Sequence, residues 1–324
     1  MLEKERIVKM PKEKVIVICG PTASGKTSLS IALAKKINGE IVSADSMQIY
    51  QEMNIGTAKP TADEMQGIPH YMIDCISPEQ RFSVADYKKL AKESIKKIIE
   101  KGRIPIVVGG TGLYIDSLIY EIEYPNIEFD EEYRKLLERK VQEEGLEKLY
   151  QEAKKIDEQA IQKISHNDQK RILRILEIYH ATGKTKTQQE EESRRKEAEY
   201  DYHVYALHWD RDILYDRINK RVDMMIQQGL VQEVQTILNK YSQFPTAMQG
   251  LGYKEVVEYL EEKCTKEEMI EKIKQETRRY AKRQLTWFRK NKQTIWLEGS
   301  QDTEDNIQVI LEDINWKNNQ IKLR

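Results

Sequence analysis

Short, unbroken apolar runs alternate with amphipathic stretches over the first third of the chain. Val15-Ile16-Val17-Ile18-Cys19 is apolar without alternation, the pattern of a strand covered on both faces of a parallel sheet. Ser28 to Lys35 continues as a helix-forming segment. Glu40 to Asp45 predicts a second strand, His70 to Asp74 a short third and Ile104 to Val108 a fourth. Between the last two, Ser83 and Asp86 form a capping-box-like start to an amphipathic helix that runs through Ile99 and ends at Lys101-Gly102-Arg103.

Around Tyr120 the texture changes. Residues 123–200 lack a strand pattern and are rich in Glu, Lys, Gln and Arg. Glu131 to Gln142, Glu147 to Lys155 and Asp168 to Tyr179 have helical spacing. Leu136, Leu137 and Val141 share one apolar face, and Ile172, Leu173, Leu176 and Ile178 another. The strand pattern returns at Tyr202 to Leu207. A helix over Arg211 to Gln228, a tight turn at Gly250 to Lys254, a basic helix and a last strand and helix from Ile295 follow. The expected organisation is a core over 12–122, a helical insertion over 123–201 and a resumed core over 202–324. Residues 1–13 read as a charged lead-in, Gln188 to Lys196 as a solvated helical stretch, and the C-terminus as a frayed end.

The first strand and helix flank Gly20-Pro21-Thr22-Ala23-Ser24-Gly25-Lys26-Thr27, which fits G-x-x-x-x-G-K-[ST] without departure. The flanking strand and helix give the pattern its mechanical meaning. Gly20 and Gly25 let the backbone turn tightly with its N–H groups inward, and the helix N-terminus adds partial positive charge. Lys26 brings a full charge to the outer phosphates, and Thr27 offers a hydroxyl to Mg²⁺. This implies a cradle for a phosphate or diphosphate without saying which bond breaks. The strand at Ile104 to Val108 closes on Gly109-Gly110-Thr111 where an ATPase usually carries an acid for Mg²⁺.

Other residues are open on position alone. Asp45, at a strand's carboxyl end beside the loop, suits either a ligand-facing acid or a helix N-cap. Asp74 suits a cap or a place near Mg²⁺, and Lys59 lies free in a turn-rich loop. Arg217 and Arg221 share a helix face and suit a diphosphate clamp, although spacing alone favours surface ion pairs with Asp212, Asp216 or Glu233. Arg278, Arg279, Lys282, Arg283, Arg289, Lys290 and Lys292, interleaved with Tyr280, Trp287 and Phe288, suit a nucleic acid or a solvated helix with Leu285 and Trp287 in the core. His166 reads as a surface residue.

Composition narrows the class. Of 324 residues, 39% are hydrophobic and 33% charged, which supports a real core under a soluble surface; the net charge of -1 confines any nucleic-acid site to a local patch. Cys19, Cys75 and Cys264 are isolated, which disfavours disulfides or a thiolate metal site and fits a reducing cytoplasm. No apolar stretch of signal or membrane length follows the charged N-terminus.

Six separated blocks carry a resemblance. They are the loop itself, Ser43 to Tyr50, Ile55 to Pro60, Val108 to Tyr114, Gly252 to Lys254 and Ala281 to Arg289. In that order, across nearly the whole chain, they resemble the bacterial tRNA dimethylallyltransferase family. The chain lacks the Cys/His set of the zinc finger that some eukaryotic members carry. The resemblance implies an α/β fold, a P-loop NTPase-like parallel sheet flanked by helices with an inserted all-helical subdomain. It also implies an enzyme that transfers a dimethylallyl group from dimethylallyl diphosphate to N6 of the adenosine just 3′ of the tRNA anticodon (adenosine 37); a cytoplasmic monomer is the default expectation, with oligomeric state open. On this reading the nucleotide-type loop holds the isoprenoid diphosphate rather than hydrolysing ATP. Asp45 is then the general base. Lys26, the loop N–H groups, Mg²⁺ near Thr27 and Arg221 neutralise the leaving group, and Arg217 assists. The implied tRNA contacts are Asp45, Ser46, Met47, Gln48 and Thr111, with Arg134 and Gln169-Lys170-Arg171-Ile172-Leu173 in the insertion. Gln249-Gly250-Leu251-Gly252-Tyr253-Lys254 and Thr277-Arg278-Arg279-Tyr280-Ala281-Lys282-Arg283-Gln284 complete the set. A small-metabolite kinase, an enzyme prenylating free adenine nucleotides and an RNA-binding nucleotide switch each share part of this pattern.

Overall fold

A computed structural model describes residues 11–124, 130–194 and 197–314. The start of the lead-in, Arg195 and Lys196, and the tail beyond 314 lie outside these. In chain order the elements are β1 (Lys14–Cys19), α1 (Lys26–Ile37), β2 (Gly39–Ser43), α2 (Ala62–Met65), β3 (His70–Tyr71), α3 (Val84–Glu100), β4 (Ile104–Gly109) and α4 (Gly112–Ile119). Then come α5 (Glu131–Glu144), α6 (Leu146–Ile156), α7 (Glu158–Ile161), α8 (Gln169–Thr182) and α9 (Lys186–Arg194). The described residues end with β5 (Asp201–His208), α10 (Arg211–Gln228), α11 (Leu230–Lys240), α12 (Tyr253–Leu260), α13 (Lys266–Phe288), β6 (Ile295–Glu298) and α14 (Thr303–Asp313).

The chain divides into two compact units, Met1–Ile115 with Glu199–Arg324, and Asp116–Ala198. The first is built on a six-stranded sheet of order β3-β2-β4-β1-β5-β6. Every described pairing in it is parallel. β1 lies inside the sheet between β4 and β5, and Val15 to Cys19 are buried on both faces. That is why its apolar run shows no alternation. Ile16, Ile18, Ile41, Ile106 and Tyr205 of the strands pack with Leu29 and Leu33 of α1 and Ile307 and Ile310 of α14. The third strand is shorter than His70 to Asp74, because Met72 and Asp74 take positive φ angles of 63° and 53° and turn the chain away after Tyr71. Asp74 instead accepts a 2.5 Å bond from Lys59, whose ammonium also donates to the Tyr50 carbonyl. Lys59 is therefore a buried loop brace and not a free cation, and Asp74 is its partner.

Among its described residues the second unit is all helix and turn. Leu137, Leu149, Ile161, Ile172, Leu173 and Leu176 form its own core. Its interior carboxylates are answered locally. Asp157 caps α7 by accepting from Ala160 N–H and ties in α9 by accepting from the Thr187 N–H and hydroxyl. Glu177 is held by Arg134 and Arg174.

Candidate active site

The carboxyl ends of β1 and β2 bring the predicted loop and Asp45 together, where open parallel sheets place their ligands. The loop turns through positive φ at Gly20 (141°), Ala23 (61°) and Gly25 (96°), and Gly25 leads into α1 with no side-chain cap. The first N–H groups of α1 therefore carry no side-chain acceptor and suit an anion. The Ser24 hydroxyl is buried without a hydrogen-bond partner. Not every loop amide is open: Thr22 N–H donates to Gln284 Oε1 at 2.9 Å. Lys26 bends over the loop and donates to the Pro21 carbonyl at 2.6 Å. Burial lowers its ammonium from an ordinary 10.5 to about 8. Arg221 adds to that shift, and Asp45 opposes it. Arg221 is itself lowered by burial and by Arg217, against an opposite pull from Asp45 and Glu64.

Asp45 does both things its position allows. Its Oδ1 accepts from the Met47 and Gln48 N–H groups at 2.9 and 3.3 Å, so it closes the turn after β2. That same turn fixes the carboxylate beside Lys26, Arg221 and Tyr280, all of which feel its charge. The Tyr280 phenol is pushed up to about 12 by burial and then by Asp45, while hydrogen bonds with Thr111 and Gln284 oppose the shift. Ser46 N–H donates to the Thr111 hydroxyl at 3.1 Å. Gln48 is braced between the Ser43 hydroxyl and the carbonyls of Thr57 and Ala58.

The glycines that close β4 make room. A Cβ on Gly109 would collide with Ala44 backbone, on Gly110 with the Gln284 amide and on Gly112 with the Trp287 ring. An acid at Gly109 would have to displace the Ala44 backbone, and one at Gly110 or Gly112 the α13 side chains Gln284 and Trp287. Gln284 is buried and also donates to the Gly110 carbonyl at 2.9 Å, so it staples the phosphate loop to the β4 loop.

The two arginines are not the surface ion pairs that spacing alone favoured. Arg217 donates through Nε to the Ala23 carbonyl at 2.8 Å, and its guanidinium lies 4.3 Å from the Trp209 ring. Asp216 pairs with Lys220. Glu233 accepts from the N–H groups of Asn54, Ile55 and Gly56 and from the Tyr253 hydroxyl. Nothing in the hydrophobic pattern marked Trp209 or Glu233; the one available signal was Trp209's place just beyond the carboxyl end of a predicted strand.

The remaining predicted residues separate by burial. On α13, Arg279, Lys282 and Arg283 are exposed, whereas Thr277 and Ala281 are core. Arg278 donates to Asn219 at 2.6 Å. Tyr253 is buried; Gln249 and Lys254 are exposed, and Gly250, Leu251 and Gly252 form the turn between them. In the second unit Lys170 and Arg171 are exposed and Gln169 half-buried. Ile172 and Leu173 face that unit's core, and Arg134 is paired with Glu138 and Glu177. The side chains of Thr277, Ala281, Tyr253, Ile172 and Leu173 thus carry packing, not an open contact surface.

Residues 48–291 match the sequence profile of the IPP transferase family. A tRNA dimethylallyltransferase of Acetivibrio thermocellus is 48% identical over 305 residues, covering 94% of this chain and 97% of that protein. The chain belongs to the tRNA dimethylallyltransferase family. The crystal structure of a full-length tRNA isopentenylpyrophosphate transferase from Bacillus halodurans superposes with a TM-score of 0.71 at 42% identity, covering 96% of this chain and 99% of that one. A eukaryotic dimethylallyltransferase acting on tRNA gives 0.77 at 30% identity, covering 96% and 80%. The family's fold is therefore the α/β sheet found here, and its enzymes are prenyl transferases acting on tRNA. Among the described residues no helix is long and apolar enough to cross a membrane.

Proposed function

We propose that the chain transfers the dimethylallyl group of dimethylallyl diphosphate to N6 of the adenosine immediately 3′ of the anticodon, releasing diphosphate. One observation carries the assignment of roles: a carboxylate, Asp45, sits in the electrostatic reach of two desolvated cations, Lys26 and Arg221, at the mouth of an uncapped phosphate loop. An exocyclic adenine amine is a poor nucleophile, because its lone pair is delocalised into the ring. As the N6–C1 bond forms, Asp45 accepts the amine proton. As the C1–O bond breaks, Lys26, Arg221 and the loop N–H groups take up the charge that grows on the diphosphate. Arg217, held to the Ala23 carbonyl, adds positive charge at the same loop.

Mg²⁺ fits this site as a substrate-borne ion. Thr27 presents an exposed hydroxyl at the start of α1, and no group of three or more His, Cys, Asp or Glu able to hold a metal occurs among the described residues. Mg²⁺ commonly takes one or two protein ligands with phosphate oxygens and water. When bound it would supply further neutralisation of the diphosphate, with Thr27 as its protein ligand.

The exposed Arg279, Lys282 and Arg283 of α13, the turn around Gln249 and Lys254, and Lys170 and Arg171 of the helical unit offer cations and polar edges to the tRNA. The target base must be swung out of its loop to reach Asp45. The enzyme acts in the cytoplasm as a monomer. The test is incubation with dimethylallyl diphosphate, Mg²⁺ and unmodified tRNA, with AMP and ATP-plus-acceptor reactions in parallel, followed by mass spectrometry of the nucleosides. Prenylated adenosine from tRNA alone supports the assignment; prenyl-AMP or a phosphorylated acceptor contradicts it.

A further inference from the structure

The phosphate loop has an outer side as well as an inner one, and Trp209 occupies it. This residue lies just past the end of β5, the strand paired with β1, so its indole reaches the loop that leaves β1. Its Nε1 donates to the Ser24 carbonyl at 2.8 Å. Its ring lies 4.3 Å from the guanidinium of Arg217, whose Nε donates to the adjacent Ala23 carbonyl at 2.8 Å. The indole is itself backed closely: a Cβ on Gly299 would collide with it, and Gly299 N–H is bonded to the His208 carbonyl at 2.7 Å.

Two consecutive loop carbonyls are thus drawn outward by two donors that are stacked on one another. A peptide unit whose carbonyl is held on one side directs its N–H to the other, because the unit is planar. Holding the carbonyls of Ala23 and Ser24 therefore aims the N–H groups of Ser24 and Gly25 away from the clamp. Stacking on Trp209 also keeps Arg217 against the loop, with Nη2 beside Gly25 at the head of α1.

We infer that Trp209 is a positioning residue for the diphosphate, acting through the Ser24 carbonyl and through Arg217 to hold the loop in its anion-binding form before the substrate arrives. This rests on the diphosphate reading above and goes beyond it, by naming a residue outside the motif that sets the loop's affinity. A preorganised cradle lowers the ordering cost of binding. Because Trp209 touches neither the prenyl carbon nor the base, its loss weakens diphosphate binding while leaving the chemical step of the bound complex nearly intact.

The test titrates inorganic diphosphate, with Mg²⁺, into full-length wild type, Trp209→Phe and Trp209→Leu by calorimetry and by tryptophan fluorescence. Kinetics are measured in parallel with dimethylallyl diphosphate and tRNA. Phe keeps a ring over Arg217 and drops the N–H, so the diphosphate Kd rises about fivefold, the effect of one ordinary hydrogen bond. Leu drops both contacts, so it rises about tenfold or more. KM for the prenyl donor follows in each, while kcat stays within about twofold and tRNA affinity is unchanged. Diphosphate changes the emission of wild type, and the change is lost in Trp209→Phe although the other three of the 4 tryptophans remain. Wild-type Kd and an undiminished emission change in Trp209→Phe, whatever its thermal midpoint, overturn the proposal and leave Trp209 as packing; Phe is conservative enough to decide this if the Leu variant does not fold. Failure of wild type to bind diphosphate removes the underlying reading, and this proposal with it.

Discussion

The interior carboxylates of the helical unit and the charged groups of the phosphate loop are treated in opposite ways. In the helical unit Asp157 accepts three bonds from Ala160 and Thr187, and Glu177 is flanked by two arginines. In the loop the Ser24 hydroxyl is buried with no partner, α1 begins without a side-chain cap, and Lys26 and Arg221 are desolvated beside one another. A buried hydroxyl without a partner is not peculiar to the loop, since Tyr124 of the helical unit carries one too; what sets the loop apart is a pair of desolvated cations at an uncapped helix start, an arrangement that suits an anion. The helical unit's interior carboxylates hold structure; the loop's cations are arranged to suit an anion.

That contrast is open to attack from both sides. The largest effect is expected for Asp45→Asn, which keeps the shape of the turn but cannot take the amine proton. Turnover should fall by roughly 10²–10⁴ with tRNA affinity retained, and a wild-type rate in a single-turnover assay would remove Asp45 as the base. Arg221→Ala should slow transfer by about 10² and weaken diphosphate binding, as expected on losing a donor to developing charge; unchanged single-turnover kinetics would break its role.

How far these roles were legible beforehand depended on whether the signal was local. The loop motif, the buried strand Val15 to Cys19 and the capping box at Ser83 and Asp86 are each written in consecutive residues, and each appears in the fold. His70 to Asp74 was read too long, because alternation does not report a left-handed turn at Met72. The Arg217 and Arg221 pair could not be decided from spacing, because the Ala23 carbonyl and Trp209 ring that hold Arg217 come from distant elements. Gln284 showed the same limit: only the β4 loop and the phosphate loop, met in space, reveal it as a staple.

On the other side of the comparison, Asp157→Ala should lower stability by about 1–3 kcal/mol, since it strands the Ala160 and Thr187 donors. Denaturant unfolding would show the loss, and prenyl transfer per folded molecule should stay at wild type; a selective loss of transfer would erase the distinction between the two regions. Joint neutralisation of Arg279, Lys282 and Arg283 should weaken tRNA binding about tenfold at moderate salt and flatten its salt dependence. An unchanged salt slope would assign those cations to solvent.

The smallest effect is a pH dependence. Lys26 in the free protein is a cation below about 8 and neutral above it. Its contribution to diphosphate affinity is therefore present at neutral pH and lost as pH rises through about 8. Bound diphosphate favours the ammonium, so binding near that pH should take up a proton. Calorimetry in buffers of different ionisation enthalpy should detect the uptake in wild type and not in Lys26→Gln; equal uptake in both would assign the proton elsewhere.

The account's central claim is that the cradle grips a leaving group and that the bond broken is carbon–oxygen. Dimethylallyl diphosphate carrying ¹⁸O at the bridging position tests it directly, with unmodified tRNA as acceptor and mass spectrometry of both products. The account predicts the whole label in the released diphosphate and the prenyl group on an adenosine N6. Label retained with the prenyl group, or phosphorus found on the acceptor, would contradict it.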